Sequence, residues 1–384
     1  MIRENCQSTN SKSLRTSRPW PLVSLLVATS MAATLACSSD DDPETATQSL
    51  EGFTPVAVTE RPEPGPYAGG PTPNGLSIPS GIEDWRVLGA INLPATPDAP
   101  NATVRVIVGN GTAVDAARAG QINPWPDGSM IAHYQWAAGS TPESGLAVTP
   151  GDFARLTMMV RNSALYAADG NWAYGVWQTA NLMPPAEPAP GAQRFDRACV
   201  NCHMSSGIED KDFVFSVPGA LPTSDAIAAA PTLSNGLTLP AGIADWRVIG
   251  VASRATDAMN PSIRVIVGND IAVDAARAGE TNPWPDGSML AHYVWAASKN
   301  ADITINEDAV TPGAFGAFTL MVKDAAQYAD DGGWAYGAWS GANLTAPAAA
   351  DFDRACVNCH VGSVSENDYV FTRPGALPAR FTAE

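Results

Sequence analysis

Cys-Val-Asn-Cys-His occurs twice in the chain, at Cys199, Cys202 and His203 and again at Cys356, Cys359 and His360. Cys-x-x-Cys-His is the spacing of covalent c-type haem attachment. On a helix the two thiols stand about one turn apart, so each can add to one vinyl group of a haem. The next residue then places its imidazole beneath the iron as the proximal ligand. Two other chemistries use paired cysteines. The pairs could together form one four-cysteine zinc site, or each could cycle as a redox disulfide. Neither explains a histidine directly after both pairs, and haem attachment does. The spacing therefore implies two covalently attached haem c groups, with His203 and His360 as the metal ligands.

Counting the remaining candidates sharpens this reading. Of six cysteines, the two outside the motifs are Cys6 and Cys37, both near the N-terminus, so none is left in the later sequence for a structural disulfide. Of four histidines, the two outside the motifs are His133 and His292, at the same place in two copies of "WPDGSM.AHY". They are the only imidazoles that could act as a sixth iron ligand or as a distal acid–base group. The plainer alternative is a packed histidine hydrogen-bonded in or beside the core. Met130 with Met289, and Met159 with Met321, also stand at matching positions. A methionine on an apolar strand is ordinarily core filler, which makes these the lesser axial candidates. Asp127 and Asp286 could act as acids, but both lie in Pro-Asp-Gly, where turn formation is the simpler role.

The elements that must position these groups follow from periodicity. Thr103 to Gly109 alternates and is β-branched, which predicts a strand. Ala113 to Ala119 predicts a short helix stopped by Gly120. Pro126-Asp127-Gly128 predicts a turn into a strand from Ser129 to Trp136. On that strand His133 shares a face with Ser129, Ile131 and Gln135, and His292 with Ser288, Leu290 and Val294. Phe153 to Arg161 and Trp172 to Trp177 predict further strands, and Arg194 to His203 a helix carrying the cysteines. Frequent glycine and proline, 33 and 32 of 384 residues, favour a turn-rich architecture.

The whole arrangement is duplicated. "DWRV" recurs at Asp84–Val87 and Asp245–Val248, "RVIVGN..AVDAARAG" at Arg105–Gly120 and Arg264–Gly279, and "DG.WAYG.W" at Asp169–Trp177 and Asp331–Trp339. "FDRACVNCH" ends at His203 and His360, and "PGALP" closes each copy at Pro218–Pro222 and Pro374–Pro378. Two copies of this length suit two domains, each with a core, better than a solenoid. The expectation is a mainly β (α+β) protein of two tandem antiparallel β-sandwich-like domains, residues 74–222 and 234–384, joined by a linker at 223–233. Each domain is expected to carry a short helix and a C-terminal haem-binding helix.

The N-terminus predicts export. Arg3, Lys12, Arg15 and Arg18 precede an apolar run from Pro21 to Ala36, shorter than a comfortable membrane span. The run ends in Thr-Leu-Ala-Cys, which resembles a bacterial lipobox, with Cys37 the lipidated residue. Residues 1–36 then form the signal peptide and 37–73 a proline- and acid-rich disordered tether. This places the mature protein in the periplasm or on the outer face of a bacterial membrane, lipid-anchored or secreted. The net charge of −17 excludes phosphate-backbone binding, hence nucleic acid.

Taken together, "DWRV", "RVIVGN", "WPDGSM.A", "GGWAYG.W", the late Cys-x-x-Cys-His and the following "DFVF" or "DYVF" (Asp212–Phe215, Asp368–Phe371) resemble the cytochrome P-460 family, which includes the c-prime-beta cytochromes. The resemblance covers essentially all of both repeats. It implies a β-sandwich-like domain with a proximal histidine and a small open distal pocket. It also implies binding, oxidation or reduction of a small nitrogen species, hydroxylamine or nitric oxide, with a redox partner protein. The competing expectations are electron transfer through irons capped by His133 and His292, and nitric oxide binding without turnover. In the P-460 enzymes a lysine is linked to the haem edge, and the alignment puts that position at His133 and His292. The lysines here are Lys12, Lys211, Lys299 and Lys323, and none has a counterpart in the other repeat; Lys323 matches Arg161. A shared lysine cross-link is therefore excluded, and with it hydroxylamine oxidation that depends on such a link in both repeats. Family members are often dimers, which two fused copies could reproduce within one chain.

Overall fold

Alternating valines and isoleucines become strands wherever one face of the chain can be buried, and in this protein both faces are. The computed structural model describes residues 70–97, 101–140, 147–189, 192–216, 218–257, 260–299, 306–371 and 374–377. The expected signal peptide, Cys37 and nearly all of the tether lie outside these residues. In the first repeat the order is β1 (Arg86–Leu93), β2 (Thr103–Gly109), α1 (Gly111–Arg118), β3 (Met130–Gly139), β4 (Thr149–Arg161), β5 (Trp172–Gln178) and α2 (Arg197–Ser205). A short helix, α3 (Ser224–Ala228), leads to the second repeat. There β6 (Arg247–Ser253), β7 (Ser262–Gly268), α4 (Asp270–Ala278), β8 (Met289–Lys299), β9 (Val310–Lys323), β10 (Trp334–Ser340) and α5 (Asp353–Ser363) follow in the same order. The fold is mainly antiparallel β, as expected. Among the described residues no helix is long and apolar enough to cross a membrane.

Each repeat is a five-stranded meander, and the two join through β1 and β6 into one ten-stranded sheet. The join is reciprocal. Arg86 pairs with Arg247, Asn92 of β1 with Val310 of β9, and Val148, before β4, with Ser253 of β6. One face of each meander feeds a single apolar core made by both repeats. Val104, Val106, Tyr134, Trp136 and Leu156 meet Val265, Val267, Tyr293, Trp295 and Leu320 there. The opposite face of each meander has its own smaller core. The register sets His133 beside Ile107 and Thr157, and His292 beside Ile266 and Thr319, on this second face.

The C-terminal "PGALP" segments bridge the repeats. Gly219 N–H donates to Leu88 O at 2.8 Å, and Trp295 Nε1 of the other repeat donates to Ala220 O at 2.7 Å. Reciprocally, Gly375 N–H donates to Ile249 O at 2.9 Å and Trp136 Nε1 to Ala376 O at 2.8 Å. Glycine is required at Gly219 because a Cβ there would lie 2.8 Å from the Trp295 ring.

Ion pairs also cross between the repeats. Arg86 and Arg118 hold Asp245 at 2.9 and 3.0 Å, and Arg247 holds Asp84 at 2.9 Å. These carboxylates are more than half exposed, so they orient the repeats more than they bind them. Asp245→Ala is expected to cost under about 1 kcal/mol in a urea titration. A larger loss would show that these pairs dominate the contact.

The repeats begin earlier than the motifs suggest. Trp177 Nε1 donates to Gly70 O at 3.1 Å, and Thr72 is buried, so residues 70–73 pack on the first repeat rather than trailing from it. Trp339 Nε1 makes the equivalent bond to Pro231 O at 2.9 Å, and Ile227 of α3 and Leu233 are buried, so the expected linker also packs on the fold.

Candidate functional site

The helix α2 carries Cys199, Cys202 and His203, and α5 carries Cys356, Cys359 and His360. Cys199 and Cys202 are unbridged thiols. Both helices press one valine, Val200 or Val357, into the core beneath them. Their N-termini are pinned by carboxylates, a buried one in the first repeat and a half-buried one in the second. Asp196 accepts from Asn74 Nδ2 at 2.9 Å and from Arg194 at 3.0 and 2.8 Å. Burial alone would raise the Asp196 carboxyl; the Arg194 and Asn74 hydrogen bonds outweigh it and hold the group below its ordinary value. At the other site Arg354 clamps Asp331 with two bonds of 2.7 and 2.6 Å.

Each motif histidine is fixed through its Nδ1, which lies 2.7 Å from Phe213 O for His203 and 2.6 Å from Tyr369 O for His360. A carbonyl only accepts, so Nδ1 bears the proton and the Nε2 lone pair is left for a metal. The two carbonyls are held in unusual backbone. Asp212 and Phe213, with φ of 50° and 63°, and Asp368 and Tyr369, with 49° and 64°, are all left-handed. The buried aspartates stabilise that turn. Asp212 accepts from Trp125 N–H at 2.9 Å and Arg161 Nε at 2.7 Å, and its carbonyl accepts from Trp172 Nε1 at 2.8 Å. Asp368 accepts from Trp284 N–H at 2.8 Å and Lys323 Nζ at 2.7 Å, and its carbonyl from Trp334 Nε1 at 2.8 Å. Lys323 is thus the counterpart of Arg161 in a structural ion pair. Aromatic rings flank each imidazole: Tyr174 at 4.8 Å and Phe215 at 4.7 Å from His203, and Tyr336 at 4.7 Å and Phe371 at 4.8 Å from His360.

His133 and His292 lie on the same side of their meanders as these helices. Ile131, Met159 and Tyr174 share one apolar cluster with Val200 and Val214, and Cys199 packs against it. The His133 imidazole is pushed down to about 3, first by burial and then by the charges of Arg105 and His203. His292 is likewise pushed down to about 3 by burial, Arg264 and His360. Both are therefore neutral at physiological pH, with a lone pair for a metal or a proton. Tyr174 Oη and Tyr336 Oη are buried, with no hydrogen-bond partner among the described residues, at equal positions in the two repeats. An apolar pocket opens on the same face of the first repeat, lined by Leu88, Ile107, Trp125, Ile131 and Val214.

Asn110 explains why "RVIVGN" and "PDG" travel together. Its Oδ1 caps α1 at Ala113 N–H (3.0 Å) and accepts from Met130 N–H (3.1 Å), while Nδ2 donates to Gly128 O at 2.8 Å. It thereby fixes where β3, and so His133, begins. Asn269 repeats the set at 3.1, 3.0 and 2.9 Å. Asp127 and Asp286 belong to these turns: Asp127 bonds Arg161 and Ser163, and Asp286 the Ala325 N–H. Met130 and Met289 pack on the shared core, away from His133 and His292, whereas Met159 and Met321 lie on the histidine face. Sequence reasoning missed Arg105, Arg264 and the two tyrosines. The signal for the arginines was a charge set among alternating valines, on the parity of the histidine strand.

The residues fit a haem: a helix with two thiols and an oriented imidazole, an apolar face, and phenols left without partners. A comparison with curated proteins finds no match. The family model of cytochrome P460 matches twice, over residues 79–216 and 240–372, and so spans both repeats with their Cys-x-x-Cys-His helices. The chain belongs to the cytochrome P460 family and is a cytochrome of the haem c type.

Proposed function

We propose that the protein is an exported dihaem c-type cytochrome that binds and oxidises or reduces a small nitrogen species, hydroxylamine or nitric oxide. The observation that carries this reading is the same in both repeats: an oriented motif histidine and a second, neutral histidine on one face of the sheet. Cys199 and Cys202 hold one haem and Cys356 and Cys359 the other, with His203 and His360 as the iron ligands. Bound haem would supply one-electron chemistry and an iron that can bind a small ligand. The Phe213 and Tyr369 carbonyls fix the ligand tautomer. The apolar side chains around Ile107 and Ile131 exclude water. His133 and His292, uncharged as they stand, position a bound substrate by hydrogen bonding. The basic, apolar and lipobox-like N-terminal segments support export and a lipid anchor at Cys37. A periplasmic or outer-face location then calls for a redox partner protein there.

The closeness of His133 to His203, whose charge helps to push the His133 imidazole down, favours one second reading. In it His133 and His292 cap the irons and the protein transfers electrons. The absorption spectrum of the reduced holoprotein, with and without nitric oxide, separates the two. A broad high-spin spectrum that shifts with nitric oxide is expected. Sharp low-spin bands that ignore nitric oxide, and that turn high-spin in His133→Ala, would establish electron transfer instead.

A further inference from the structure

The two histidine faces are not copies of each other. In the first repeat the strand register lines up Arg105 of β2, Gln135 of β3 and Arg155 of β4 in one row, next to the row of Ile107, His133 and Thr157. Positions two apart on a strand share a face, so this row lies beside His133 on its own side of the sheet. In the second repeat the same row reads Arg264, Val294 and Ala317. One cation and one amide are thus replaced by apolar groups.

Arg105 and Arg155 stand out among the arginines. Arg86, Arg118, Arg161, Arg194, Arg247 and Arg354 each contact a carboxylate. Among the described residues none pairs with Arg105 or Arg155, although the chain carries a net charge of −17. Arg105 Nε is buried and has no hydrogen-bond partner, while Arg264 Nε donates to Ser262 Oγ at 3.2 Å. Gln135 is 3% exposed between the two cations, and Arg155 stands at the exposed rim. Burial and the neighbouring Arg155 push the Arg105 guanidinium down to about 10. Two like charges flanking one strand without a counter-charge repel, and an anion between them relieves that repulsion.

We propose that the first repeat alone carries a binding site for a planar oxygen anion, a carboxylate or a nitrite-like oxyanion, formed by Arg105, Gln135 and Arg155 beside His133. The guanidinium forks match two oxygens of such an anion, and the Gln135 amide adds a donor. The anion has two possible sources, a free oxyanion from solution or a propionate of the attached haem. The proposal rests on the dihaem reading above and divides its two sites: the repeats hold unequal centres, one anion-selective and one not.

The test uses the oxidised holoprotein with sodium nitrite as the probe, followed by absorption, together with spectroelectrochemical titration of both haems. Two haems per chain, by mass, must be present first; a different content would count against the dihaem reading and not against the anion site. If the anion is free, nitrite binding shows two phases at least tenfold apart in Kd, and Arg155→Ala removes the tight one. If it is a propionate, nitrite shows one phase, the two haems differ in midpoint potential, and Arg155→Ala shifts only one of them. The double substitution Val294→Gln with Ala317→Arg should then confer the same property on the second repeat. Arg155 is at the rim, so folding is not at stake. An Arg155→Ala protein whose nitrite titration and potentials both match wild type would overturn the proposal.

Discussion

A chain in which Cys199 and Cys202 are both alanine is expected to leave the haem-attachment machinery with one haem instead of two. Each motif lies on its own helix, and each helix packs on its own core of the histidine face, so the loss should stop at the repeat that is changed. Intact mass and the absorbance of the denatured haem both read this directly, and Cys356→Ala with Cys359→Ala should give the mirror result. Retention of two haems would show that the thiols are not the attachment points. Loss of both would show that the second site cannot mature without the first. A His203→Ala chain divides the roles further: the thioethers persist, so the haem count stays at two, while one iron loses its proximal imidazole and its spectrum changes.

Trp295→Ala is expected to destabilise the whole protein by about 3–5 kcal/mol, the usual cost of removing a buried tryptophan from a core. The ring is fully buried, it contacts Gly219 from the other repeat, and its Nε1 satisfies Ala220 O. Truncation therefore opens a cavity and strands a carbonyl at the same point. Because the contact joins the repeats, the effect should appear as a shift of one cooperative transition, seen alike by tryptophan fluorescence and by circular dichroism in urea. Two separated transitions, only one of them shifted, would mean that the repeats fold independently. Gly219→Val should act in the same direction by driving a side chain into the ring from the opposite side.

The sequence displayed most of the site and rather less of the frame. Cys-x-x-Cys-His, the paired His133 and His292 and the parity of their strand are local patterns, and local patterns survive in a linear reading. The strands β2, β3, β4 and β5 were visible because they alternate. The strands β1 and β6 were not, since Arg86–Leu93 and Arg247–Ser253 lie at the junction of the repeats, buried on both faces, and show no polar–apolar alternation. The partners of "DFVF" and "PGALP" were equally hidden. Asp212 meets Trp125 and Arg161 across long stretches of chain, and Ala220 meets Trp295 of the other copy. No spacing rule reaches those contacts. Lys323 was legible only as an unmatched lysine, and the fold supplies its purpose as the partner of Asp368. Arg105 was in plain view between valines, but its lack of a carboxylate is a fact of three dimensions.

The reciprocal clasp of the two copies has a consequence for how such a protein can change. Where a chain assembles with an identical twin, any alteration of its gene is written into both halves at once, and a change useful to one pocket must be tolerated by the other. Here the twins are spelled out separately along one chain. The contacts that hold them together, from Trp136 to Ala376 and from Trp295 to Ala220, have stayed alike, while Arg155 and Ala317 at the equivalent place have drifted apart. Fusion keeps the architecture of a symmetric pair and releases its two histidine faces to specialise.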